Sequence, residues 1–102
     1  MDYQLVLQFP GQTEEDFDLL IEMEDKLEKS LDSTSEVDGH DFGSDEMNIF
    51  IYCTDPEKCF ERSRALLRNM VDMSTMKAAF RKVESEDFTI LWPKGLEEFE
   101  VT

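Results

Sequence analysis

From Tyr3 to Phe9 the chain alternates: Tyr3, Leu5, Leu7 and Phe9 point one way, and Gln4, Val6 and Gln8 the other. A period of two predicts a half-buried strand, and Pro10-Gly11 ends it with turn chemistry. After Thr13 the period lengthens. Phe17, Leu20, Met23, Leu27 and Leu31 recur at spacings of three or four, which predicts one apolar stripe on a helix running to about Ser30. Thr13 is the expected N-cap, with Asp16 closing a capping box. Glu14, Glu15, Asp16 and Asp18 place negative charge at the positive end of the helix dipole. Glu22–Lys26 and Asp25–Lys29 are i,i+4 pairs in the favourable order.

A second strand is predicted over Glu36 to Phe42, with Gly39 marking a bulge and Asp38 and His40 sharing a face. Gly43-Ser44-Asp45-Glu46 then forms a hairpin turn into a third strand, Met47 to Thr54, which holds the most apolar run of the chain, Met47 to Cys53. Met47, Ile49, Ile51 and Cys53 make one side of that third strand. Phe50 and Tyr52, with polar Asn48 and Thr54, make the other. Asp55-Pro56 opens a second helix with a capping acid and a proline at the first helical position. Its expected stripe is Phe60, Ser63, Leu67 and Met70, flanked by Cys59 and Leu66, and it is expected to end between Asn69 and Asp72. Lys77 to Val83 and Phe88 to Trp92 read as a closing hairpin around Glu84-Ser85-Glu86-Asp87. The acidic tail, Leu96 to Thr102, is expected to fray or form a short helical turn.

This order is β-α-β-β-α-β with one added C-terminal strand, and the fold class is α+β. It resembles the ferredoxin-like plait, an antiparallel sheet with two helices on one face. The block Gly39-His40-Asp41-Phe42-Gly43-Ser44-Asp45-Glu46-Met47-Asn48-Ile49-Phe50-Ile51 also resembles a group of short, uncharacterised bacterial proteins. That likeness implies the same plait and no catalytic residues. The fold itself hosts many functions.

At 102 residues the chain is expected to be one domain, residues 1–102, with a single modest core. Charge changes the picture more than size does. Ten basic and 25 acidic residues give a formal −15, and residues 1–46 alone carry −13. Such a field repels phosphate backbones and anionic membranes, so nucleic-acid and membrane binding are disfavoured, and it favours encounter with a basic partner. No apolar run approaches the ~20 residues of a membrane span. Met1-Asp2-Tyr3-Gln4 leads straight into a strand rather than into a signal segment, and the expected location is the cytoplasm.

Candidate chemistry is sparse. His40 lies among Asp38, Asp41, Asp45 and Glu46, but there is no second histidine to complete a ligand set, and no motif pairs it with a nucleophile. It is expected to face solvent on the hairpin. Cys53 and Cys59 match neither a C-x-x-C redox motif nor a zinc spacing, and both read as buried small hydrophobes. Cys59 also lies near a helix N-terminus beside Lys58 and Arg62, the setting of a reactive thiol. There is no phosphate-binding glycine loop and no EF-hand order, so no metal, cofactor or catalytic residue is assigned.

Two features remain. One is the acidic half, densest along the first helix. The other is the open sheet face of Val6, Phe50 and Tyr52, which the tail or Trp92 would otherwise cover. Exposed apolar faces of this kind mark partner or homodimer surfaces. The expected function is an acidic protein-binding module, of immunity or inhibitor type, that recognises a basic protein. Its candidate binding residues are Phe50, Tyr52, His40, Asp45, Glu46 and Glu22. The alternative is a ligand-binding or catalytic ferredoxin-like dimer with its site on the open face, where His40, Tyr52 and Asn48 would supply polar groups.

Overall fold

A computed structural model describes residues 1–101; Thr102, the last residue of the acidic tail, lies outside the described residues. The elements run β1 (Tyr3–Pro10), α1 (Glu14–Ser30), β2 (Ser35–Phe42), β3 (Glu46–Cys53), α2 (Pro56–Leu67), a 3₁₀ turn (Met73–Thr75), β4 (Lys77–Lys82) and β5 (Thr89–Trp92). The strands form one antiparallel sheet in the order β2-β3-β1-β4-β5. This is the ferredoxin-like plait with an added edge strand beside β4. Glu46 belongs to β3 rather than to the turn, because it pairs with Pro10 across β1.

The alternation of β1 sets the two faces. Leu5 pairs with Ile51 and Leu7 with Ile49, and these residues join Leu20, Met23, Leu27, Phe60 and Leu67 in the core between sheet and helices. The opposite, open face carries Gln4, Val6 and Gln8 of β1, opposite Tyr52, Phe50 and Asn48. At its start α1 is fixed as expected. The Thr13 side chain accepts from the Asp16 N–H at 3.1 Å, and Asp16 Oδ2 accepts from the Gln12 and Thr13 N–H groups. Those two backbone donors, Gln12 first, hold the Asp16 carboxyl below the usual carboxylate range.

Three expectations are corrected. Phe17 is not part of the buried stripe but is 39% exposed, because the stripe centres on Leu20, Met23 and Leu27 and leaves Phe17 on the flank toward β2. Asp38 and His40 are separated by a register shift between Val37 and Gly39. The extra residue turns His40 to the helix side, in register with Ile49. The second helix stops at Leu67, with Arg68 as its C-cap, so Met70 packs on the core from beyond the helix.

The loop after α1 is tied down twice. Asp32 accepts from the Thr34 hydroxyl and backbone N–H, and it pairs with Arg62 of α2. The Thr34 bonds, then Arg62, hold the Asp32 carboxyl down at about 2.

Candidate functional site

The six residues expected to form a binding surface fall into three places. Glu22 lies exposed on α1, and His40 faces α1 from β2. Asp45 ends the β2–β3 turn and Glu46 begins β3; Asp45 accepts from the Gln12 side-chain amide at 2.7 Å and its carbonyl accepts from the Gly11 N–H. Glu46 lies 3.8 Å from the Lys77 ammonium. Phe50 and Tyr52 are half-buried on the open face. His40, Tyr52 and Asn48 do not converge, because His40 is on the other side of the sheet and Asn48 is wholly buried.

The flank formed by α1 and the edge strand β2 brings together residues that sequence spacing kept apart. His40 Nδ1 lies 3.1 Å from both carboxylate oxygens of Glu24. The Phe17 ring stands edge-on to His40 and to Phe42, with centroids 5.9 and 5.5 Å apart. Ile21, one turn beyond Phe17, is 38% exposed. Beside this apolar pair Glu14, Asp18, Glu22 and Asp25 are exposed on α1, whereas Glu36 and Asp41 of β2 are in register with Tyr52 and Asn48 and belong to the open face. β2 is an edge strand of the sheet and packs against α1. Charged side chains on an edge strand also discourage unspecific strand pairing.

Sequence reasoning missed Phe17 and Ile21 as surface residues. Phe17 falls at core spacing, and only the centre of the stripe, set by the sheet, shows which side of it faces out. Glu24 as the partner of His40 had no sequence signal, since the two meet only through the crossover and the bulge.

The open face is partly covered by the tail. The Gln8 side-chain amide donates to the Glu100 carbonyl at 2.8 Å and to Asn48 Oδ1 at 3.0 Å. Phe99 packs on Phe88 with ring centroids 5.1 Å apart. Asn48 Nδ2 is buried and finds no partner among the described residues. Trp92 takes no part in this cover. Its indole N–H donates to the Met73 carbonyl at 3.2 Å, and the Arg64 guanidinium lies over its ring and that of Phe60.

Cys53 and Cys59 are free and buried. Ser35, the cross-strand neighbour of Cys53, donates its hydroxyl to Cys59 Sγ at 3.3 Å. The Cys53 thiol, and after it Ser35 and Ser63, bring Cys59 down to about 7 against the opposing effect of burial. Cys53 is pushed up, first because it is the donor in that pair and then by burial. Lys58 and Arg62 are not the cause.

No group of three or more His, Cys, Asp or Glu among the described residues is arranged to hold a metal ion. No helix among the described residues is long and apolar enough to cross a membrane. Comparison with protein-family models, curated proteins and solved structures finds no match to this chain.

Proposed function

We propose that the chain is a protein-binding module whose α1–β2 flank docks a basic partner, in the manner of an immunity or inhibitor protein. One observation carries the reading: Phe17 and Ile21 stand exposed beside the unburied carboxylates Glu14, Asp18, Glu22 and Asp25 of α1. An apolar centre with a charged rim is the anatomy of a protein interface. The centre supplies desolvated contact, and the rim supplies steering and selectivity. The −13 carried by residues 1–46 gives that steering a direction, toward cationic surfaces. Glu22 and His40 of the expected set belong to this flank; Phe50 and Tyr52 do not.

The test separates docking from bulk ion exchange. The native chain and the F17S/I21S variant carry the same charge. Basic proteins retained from lysate by the immobilised native chain, and eluted by moderate salt, are expected to pass through the variant column. Equal retention on both columns would reduce the reading to non-specific charge attraction.

A further inference from the structure

A cavity of about 520 Å³ lies on the open sheet face, beside the connection from β4 to β5 and away from the α1–β2 flank. That size falls within the small-ligand range of about 300–1,000 Å³. Arg81 and Gln4, paired across β4 and β1, line it together with Phe50, Phe88, Glu84 and Glu86. Arg81 is held by four hydrogen bonds. Its Nε donates to Gln4 Oε1 at 3.0 Å, and its Nη1 donates to the carbonyls of Lys82, Val83 and Ser85. All four acceptors are neutral. In a chain with 25 acidic residues, this guanidinium has no carboxylate partner among the described residues, and its Nη2 bonds none of them. Gln4 is only 8% exposed, and with its oxygen committed to Arg81 its amide nitrogen also bonds no described residue.

Two donors, one charged, are thus fixed on the strands of one cavity. Glu84 and Glu86 are exposed where they line it, and neither forms an ion pair with a described residue. Phe50 and Phe88 give it apolar walls. A simple anion would meet the two glutamates and the field of the whole molecule. A zwitterion carries no net charge and satisfies both signs.

We propose that this cavity binds a free α-amino acid with an apolar side chain. Its carboxylate bonds Arg81 Nη2 and the Gln4 amide, its ammonium faces Glu84 and Glu86, and its side chain lies against Phe50 and Phe88. The site is independent of the α1–β2 flank.

The test is a titration of the ¹⁵N-labelled chain followed by amide shifts. L-Phenylalanine is expected to give saturable shifts at residues 4, 50 and 81–88 at millimolar concentration. Phenylacetate, which lacks the ammonium, and phenethylamine, which lacks the carboxylate, are each expected to bind about tenfold more weakly or worse, as loss of a charge-assisted contact requires. Arg81→Gln is expected to weaken L-phenylalanine by a similar factor. Because that substitution also removes supports of the β4–β5 connection, the exposed pair E84Q/E86Q provides a second variant that threatens no packing, and the same loss is expected there. The proposal is overturned if L-phenylalanine gives no saturable shifts, if either analogue binds as tightly, or if E84Q/E86Q binds unchanged.

Discussion

Cys59 shows how a residue of plain appearance acquires a particular chemistry. Its spacing from Cys53 matches no motif, and both cysteines are buried, as expected of small apolar side chains. The sequence could not disclose that Ser35, 24 residues upstream, reaches the same sulfur. That contact exists because β2 pairs with β3 and places Ser35 beside Cys53. The consequence is testable by linkage. Cys59 titrates at about 7 in the fold against 9.0 ordinarily. Between those values the unfolded chain binds more protons at this site than the folded one, so stability rises as pH climbs through the window and the contribution is lost as pH falls through 7. The slope is at most about 1 kcal/mol per pH unit. The urea midpoint is therefore expected to be higher at about pH 8.5 than at about pH 6.5, and Cys59→Ala should flatten the difference. An equal rise in the variant would show that another group is responsible. His40 teaches the same lesson. Its place on a hairpin strand was legible, but the bulge that turns it toward Glu24 was legible only as a glycine, without its sense.

The elements themselves were written plainly. Thr13, Asp16 and the acids between them announce the start of α1, and the structure forms both halves of the capping box. Thr13→Ala is expected to cost about 1 kcal/mol of unfolding free energy, with Thr13→Ser close to native; denaturant melts of the three proteins decide it. Gly11 was visible only as a turn residue. In the fold it is buried, and a Cβ there would stand 2.8 Å from Met47 Sδ and 3.4 Å from the Phe42 ring. Gly11→Ala is therefore expected to destabilise by about 1 kcal/mol or more, unless the flexible Met47 side chain yields. The tail was the least legible element. Leu96-Glu97-Glu98-Phe99-Glu100-Val101 has neither helical nor strand periodicity, and what orders it is tertiary: the Gln8–Glu100 bond and the Phe88–Phe99 contact. Phe99→Ala should loosen it, seen as faster amide exchange in the tail and greater binding of a hydrophobic dye. Unchanged exchange would mean that the Gln8 bond alone suffices.

At the scale of the molecule, one sheet separates two surfaces of different character. The helix side ends in an acidic flank around Phe17 and Ile21, while the open side carries the tail and the Arg81 cavity. The strand and helix order was readable because period-two and period-3.6 patterns reflect burial on one face. The placement of charge was not readable in the same way, because sequence shows only that residues 1–46 are acidic. The fold divides that stretch, leaving the α1 acids beside Phe17 and Ile21 on the flank where α1 packs on the edge strand β2, and Glu36 and Asp41 on the open face. A homodimer through the open face would have to share that face with the tail. The proposed role of the α1–β2 flank is recognition of basic proteins through its apolar centre as well as its charge. The most direct measurement is parallel affinity chromatography of one lysate on the immobilised native chain and on F17S/I21S, eluted by a salt gradient. A defined set of basic proteins is expected to be held by the native chain and to be absent from the variant column. The same proteins eluting from both at the same salt, or none from either, would contradict it.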